Sequence, residues 1–444
     1  MQKKHLLPFF LTIIVAAVSA GSVVEYFSPE WGFFGHRRIN RMAVFTLDQD
    51  MMPFFRANLE YLTDHAVDPD KRRYATKHEA VRHYVDIDHW GTYPYPNVPR
   101  DWAEALLWKA EVQEIKSSGD TLVWTVDTIV RVNRNGPEEE IFNGNVPTAT
   151  LPTKKLPQVS VYATDSVHLS SSAGDKFSLA LGDYRTFWYQ YMIGQYYEDD
   201  WLLECRVQAT LNWPVSGDCS RFRYVDHFSE YGILPYHLLQ MKGRLTNAFI
   251  DKDPAKILRL CAEFGHYIGD AHVPLHTTEN YNGQMTDQVG IHGFWESRIV
   301  ELFADDNYDY FVGKAEYIED PKAYFWEVVM KSNSLVDSVL MTEKRLSVQY
   351  PVDQQFCYED RADITIRTQC REYAAAWSAA MDGMVEERFR ASILGIGSVW
   401  YTCWVDAGQP NLDLLLGEGY KAPELDSLER AFRSEKIKGR DHGS

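Results

Sequence analysis

From Ile257 to His276 the chain reads Ile-Leu-Arg-Leu-Cys-Ala-Glu-Phe-Gly-His-Tyr-Ile-Gly-Asp-Ala-His-Val-Pro-Leu-His, and no other segment limits the fold so tightly. Ile257, Cys261, Phe264 and Ile268 recur with the period of a helix, while Leu258 and Ala262 share a second stripe with His266 and Asp270. Apolar residues on two faces call for a buried helix. His266 and Asp270, spaced i,i+4, put an imidazole and a carboxylate on one of those faces, a geometry that suits a divalent metal. Gly265 and Gly269 remove side-chain bulk beside the pair. Pro274 ends the helix and turns the chain so that His276 re-enters the same region.

Similar helical character recurs in Ile39 to Leu47, Tyr236 to Ile250, Ala323 to Leu346 and Arg371 to Leu394, so the framework is mainly α. Between about Gln113 and Asp226 the texture changes. Leu122, Trp124, Val126, Val130 and Val132 alternate with Val123, Thr125, Asp127 and Arg131, the period of a strand, and Asn135-Gly136 is a turn signal. A second alternation, Val159, Val161 and Ala163, follows a proline-rich stretch from Pro147 to Pro157. Aromatic residues then crowd together as Phe187, Trp188, Tyr189, Tyr191, Tyr196, Tyr197 and Trp201. Packing of this region onto the helical part explains them more simply than a stacking surface does. With 444 residues, 45% hydrophobic and 24% charged, the chain has globular composition and no low-complexity linker. The expected organisation is a discontinuous helical domain over 21–112 and 227–410, a β-containing insertion over 113–226, and a charged C-terminal tail over 411–444.

Residues 1–20 read as a secretory signal. Lys3 and Lys4 precede the apolar run from Leu6 to Val18, and Val18-Ser19-Ala20 offers a cut after Ala20. A membrane span needs about 20 apolar residues, which no segment supplies. The expected location is secreted or periplasmic. Removal of the leader takes the net charge from −18 to −20, with no basic footprint for a stable nucleic-acid complex. Six cysteines in an exported chain permit disulfides, and the short separations favour Cys205 with Cys219 and Cys357 with Cys370. No C-x-x-C spacing, Gly-rich phosphate loop or G-x-S-x-G elbow is present.

Four of the 14 histidines fall between His266 and His292, and His292 with Glu296 repeats the i,i+4 imidazole–carboxylate spacing. Any single pair of this kind is more often a buried, hydrogen-bonded one. Two pairs plus His276 within 31 residues favour metal. Upstream lie Trp31, His36, Asp68, Asp70 and His83, the last followed by Asp86 and Asp88, for which supporting or solvated roles are expected.

Taken in order, Trp31 with His36 five residues on, Pro69-Asp70, His83-Tyr-Val-Asp, His266-Tyr-Ile-Gly-Asp270-Ala-His-Val-Pro-Leu-His276, and His292 with Glu296 resemble the zinc-dependent phospholipase C and single-strand-specific nuclease superfamily. The resemblance covers roughly Trp31 to Pro410 and leaves out the insertion. It implies a phospholipase C/nuclease-like helical domain holding two to three Zn²⁺ ions. Asp70, His83, His266 and Asp270 match one site, His276, His292 and Glu296 a second, more open one. Trp31 and His36 match a third, to which Asp270 bridges. In the family the tryptophan is the mature N-terminus, whereas a cut after Ala20 leaves Gly21 to Glu30 ahead of Trp31. Asp68 offers an alternative to Asp70.

The activity implied is that of a secreted phosphodiester hydrolase using a zinc-bound hydroxide, with Asp70 as ligand and proton acceptor. Glu296, where the nuclease branch commonly has Asp, and the acidic net charge rank phospholipid headgroups ahead of single-stranded nucleic acid. A zinc-stabilised binding protein without turnover is the remaining class.

Overall fold

The computed structural model describes residues 33–73, 77–132, 139–143, 165–192, 201–361 and 364–415. The leader-like segment, Trp31, Asn135-Gly136, Pro147 to Pro157, Val159, Val161, Ala163, Tyr196, Tyr197 and residues 416–444 lie outside them.

The central element is the Pro254–His272 helix. Asp253 starts it by accepting a hydrogen bond from the Lys256 amide, and Pro254 occupies a first-turn position that needs no amide donor. Every residue from Leu260 to His272 is buried. The Leu234–Asp251, Met384–Asp406, Phe33–Ala43 and Pro321–Asn333 helices pack around it. Val273 then becomes extended, and Pro274–Thr277 forms a single 3-10 turn that returns His276 toward the helix end.

Two of the expected helices are each divided in two. Ala323 to Leu346 forms Pro321–Asn333 and Val336–Ser347. Arg371 to Leu394 belongs to Arg371–Ala380 and Met384–Asp406, separated where Asp382 and Gly383 adopt φ of 51° and 76°. The apolar period runs through both breaks and conceals them; only the glycine, which adopts the left-handed region at little cost, marks the second. The structure also adds an unanticipated hairpin inside the helical part, β8 (Phe356–Arg361) paired with β9 (Ile364–Gln369). Cys357–Cys370 bridges its ends, and Arg298 ties it to the helical body by donating to Gln369 O and pairing with Glu359.

The insertion is one antiparallel sheet. Its strands are β1 (Ala110–Lys116), β2 (Thr121–Val132), β3 (Glu139–Asn143), β4 (Ser166–Ser171), β5 (Lys176–Ala180), β6 (Trp201–Leu203) and β7 (Cys219–Asp226). The order is β5-β4-β2-β1-β7-β6, with β3 also on β2. Alternation is visible in β4, where Val167 and Leu169 are buried and Ser166, His168 and Ser170 are less so. The Leu181–Tyr191 helix buries Tyr184, Phe187 and Trp188, and Trp188 meets Trp102 with ring centroids 5.4 Å apart. Among its described members the aromatic crowd is thus mainly packing, although Tyr189 is exposed. Cys205–Cys219 is the second disulfide, and Cys261 and Cys403 are buried free thiols. No helix among the described residues is long and apolar enough to cross a membrane.

Candidate metal centre

The donors come from four places in the chain. His36 lies on the Phe33–Ala43 helix, Asp70 on the short Asp68–Arg72 turn of helix, and His83 on the segment after the Lys77–Ala80 helix. The fourth place supplies the rest: the buried helix and its turn bring His266, Asp270 and His276, and the following elements bring His292 and Glu296. Glycine makes the crossing of the first helix on the buried one close enough. A Cβ on Gly269 would lie 2.6 Å from Ile39 Cδ1 and 3.0 Å from His36 Nδ1, and one on Gly265 would lie 1.9 Å from Asn40 Oδ1. His292 and Glu296 do not sit on a regular α-helix, because Phe294–Ile299 is wound as a π-helix. The i,i+4 pair still meets, with His292 Nε2 2.8 Å from Glu296 Oε2.

Three ligand groups form: Asp70, His83 and His266; His36, His266 and Asp270; and His276, His292 and Glu296. Asp270 joins the first two. Its Oδ2 lies 3.0 Å from His83 Nδ1 and 3.4 Å from His266 Nε2, and its Oδ1 lies 3.3 Å from His36 Nε2 and 3.8 Å from His276 Nε2. Glu296 makes a second junction that spacing did not suggest, with Oε1 3.2 Å from His36 Nε2 and Oε2 3.5 Å from His276 Nε2. Asp70 Oδ1 stands 3.7 Å from His266 Nε2 and 3.9 Å from His83 Nδ1. Asp68 instead pairs with His65 at 2.6 Å and Lys71 at 2.9 Å, so Asp70 faces the cluster. Asp88 serves the loop behind His276, accepting from Thr278 Oγ1 and the Glu279 amide.

Carbonyl oxygens orient three of the rings. A carbonyl only accepts, so His266 Nδ1 facing Ala66 O at 2.9 Å, His276 Nδ1 facing His83 O at 2.7 Å and His292 Nδ1 facing Tyr281 O at 3.1 Å carry the protons. Their Nε2 lone pairs then turn inward, the arrangement by which outer partners prepare metal-binding imidazoles. His83 is reversed, with Nδ1 inward and Nε2 3.7 Å from Glu79 Oε1.

The donor chemistry fits zinc. Imidazole nitrogen and carboxylate oxygen suit Zn²⁺, and bonds of about 2.0–2.1 Å in a tetrahedron set donor separations of roughly 3.3 Å. Around Asp70, His83, His266 and Asp270 they range from 3.0 to 3.9 Å. Two imidazole nitrogens, His266 Nε2 and His83 Nδ1, also face each other at 3.1 Å. The close imidazoles and carboxylates shift one another's protonation. Burial lowers the His36 pKa, but the Glu296 hydrogen bond and Asp270 charge outweigh it and bring it to about 9. His83 is likewise brought to about 9, against burial, by Asp270 and Glu79. His266 falls to about 3 through burial and the neighbouring His36 charge. Asp70 and Asp270 titrate below the ordinary carboxylate range because His266 and its neighbours outweigh burial. Glu296 does so because His276, His292 and His36 outweigh it. Protons on His36 and His83 thus occupy inward nitrogens that a metal ion would take, whereas His266 keeps its inward lone pair.

Beside His36 and Glu296 lies a small cavity of about 40 Å³, lined mainly by Ile39, Val273, Trp295, Val300 and Phe389, with Arg388 at its wall. His272, the remaining histidine of the motif, is not in the cluster; its Nδ1 faces Ile268 O and its carbonyl accepts from Arg388. Glu79 and Tyr267 were missed, although Glu79 precedes His83 by the same four residues that flagged the other acid–imidazole pairs. Trp31 falls outside the described residues. No protein-family model matches the chain, and comparison with curated proteins gives no match either.

Proposed function

We propose that this chain is an exported zinc-dependent phosphodiester hydrolase of the phospholipase C and single-strand-specific nuclease type, acting first on phospholipid headgroups. One observation carries the reading: eight side chains from four parts of the chain converge as three ligand groups joined by Asp270 and Glu296. Asp70, His83, His266 and Asp270 would hold one ion. His276, His292 and Glu296 would hold a second with an open position, and His36 with Asp270 a third, to which Trp31 is the further candidate ligand. Zinc bound there supplies a water acidic enough to ionise near neutral pH and positive charge opposite the phosphoryl oxygens.

The chain's own groups complete the chemistry. Asp270, with a side chain 1% exposed, is sealed in and serves as a fixed junction, whereas Asp70 keeps 14% and Glu296 15% exposure. Asp70 is therefore the carboxylate of the closed group that solvent reaches, which supports it as proton acceptor. Glu296, His276 and His292, the group with the open position, would receive the leaving oxygen. The net charge of −18 supports a phospholipid headgroup ahead of a polyanion. Export rests on the leader-like first twenty residues and the two disulfides.

Phosphocholine release from phosphatidylcholine vesicles, measured beside mononucleotide release from single-stranded DNA, tests the reading. Lipid cleavage in excess supports the order given, nucleic-acid cleavage in excess reverses it, and zinc uptake without either leaves a binding protein.

A further inference from the structure

His83 differs from the other histidines of the cluster in what stands behind it. Three of the others rest on backbone carbonyls, but the outward nitrogen of His83 faces a buried carboxylate, Glu79 Oε1, at 3.7 Å. Glu79 is 1% exposed and sits in a dense set of partners. Its Oε1 also accepts a hydrogen bond from Tyr267 Oη, and its Oε2 accepts from Arg82 Nη1 at 2.6 Å and Arg72 Nε at 3.4 Å. Arg72 continues to Glu263 Oε1 at 2.9 Å and to Tyr267 Oη at 3.5 Å.

The placement of these groups along the chain is informative. Arg72 follows Asp70 by two residues, Arg82 precedes His83 by one, and Tyr267 follows His266 by one. Each of the three segments that bring Asp70, His83 and His266 together therefore contributes a neighbour to the network around Glu79. A carbonyl would suffice to fix a ring tautomer. Burying a charged carboxylate instead, with two guanidinium groups to compensate it, carries a desolvation cost that a merely space-filling residue would not require.

We infer that Glu79 is a positioning residue for metal binding, holding His83 in the tautomer protonated at Nε2 so that Nδ1 faces Asp70, His266 and Asp270, with Arg72, Arg82 and Tyr267 holding Glu79. This rests on the metal-centre reading above but not on any particular substrate. A carboxylate behind an imidazole also makes it a more basic ligand than a carbonyl does. Glu79 touches neither substrate nor reacting atoms.

Zinc affinity is the direct test, measured by competition with a chromophoric chelator, together with the visible spectrum of the cobalt-substituted protein. Glu79→Gln keeps the size and an acceptor but removes the charge. It is expected to weaken zinc binding at one site by about 10- to 100-fold and to shift the cobalt bands of that site, while Glu79→Asp recovers part of both. Tyr267→Phe, which removes one hydrogen bond to Glu79 and no charge, should give a smaller change of the same sign. Folded Glu79→Gln protein with wild-type zinc affinity and cobalt spectrum would overturn the inference. Should Glu79→Gln fail to fold, Tyr267→Phe decides, and wild-type values in both readouts overturn it. Wild-type protein that takes up no zinc overturns the metal-centre reading itself, which separates the two failures.

Discussion

Asp270 is the side chain on which the cluster turns. Its two oxygens serve different imidazoles, Oδ2 facing His83 and His266 and Oδ1 facing His36 and His276. Asp270→Asn removes the charge and replaces one oxygen by an NH2 group that cannot ligate a metal ion. Its hydrolytic activity is expected to fall by more than the roughly 10- to 100-fold typical of an outer partner, and further than in His36→Ala. Equal losses in the two variants at equal zinc content would contradict the junction role. The protonation of the cluster gives a second expectation. His36 and His83 have pKa values raised to about 9, so below that pH both carry protons that zinc must displace. Zinc uptake at pH 7 should release protons and strengthen as pH rises toward 9, which calorimetry in buffers of different ionisation enthalpy measures. In the metal-free protein the sign is opposite. A histidine pKa raised on folding contributes stability that is complete below about 6.5 and is lost as pH rises through about 9. Metal-free protein should therefore melt at lower temperature at pH 9 than at pH 7, whereas zinc-loaded protein should not.

The crossing of the Phe33–Ala43 helix on the Pro254–His272 helix sets the position of His36, and Gly269 sets the crossing. A methyl group there meets Ile39 Cδ1 at 2.6 Å and His36 Nδ1 at 3.0 Å, so Gly269→Ala forces the helices apart or turns the His36 ring. Overpacking of this kind costs about 1–3 kcal/mol. Thermal unfolding should show that loss, and zinc titration should show weaker binding at the site that includes His36. A variant with unchanged stability and affinity would mean the contact relaxes freely. The role of these glycines as spacers was legible from their place beside His266 and Asp270, because a helix carrying ligands on one face cannot also carry bulk there. Other features were hidden. The 3.6-residue period continues across Ser334-Leu335 and through Met381 to Gly383, so periodicity joined helices that the chain separates. The β8–β9 hairpin is rich in charged residues, and the Ala-Asp between its strands is not a strong turn dipeptide. The π-helical winding around Glu296 leaves no mark in composition, and its i,i+4 pair reads the same as in an α-helix.

Across the whole molecule, the mainly helical framework with a β-containing insertion could be read from two competing periods, 3.6 and 2 residues. Local spacing identified which donors share a face. It could not show that Glu296 reaches His36, 260 residues away, because that contact depends on how two helices cross. Nor could it show the Glu79 network, whose members Arg72, Arg82, Glu263 and Tyr267 come together only when the three ligand-bearing segments pack. The disulfides were accessible from sequence because both pairs close short loops, with separations of 14 and 13 residues. If this assembly holds zinc and uses it to hydrolyse phosphodiesters, as proposed, stepwise return of zinc to chelated, metal-free protein will restore hydrolysis of a generic phosphodiester recorded at each addition. Activity should be absent without metal, rise with zinc and level off at two to three equivalents per chain. Full activity in the presence of chelator, or saturation with less than one zinc per chain, would contradict it.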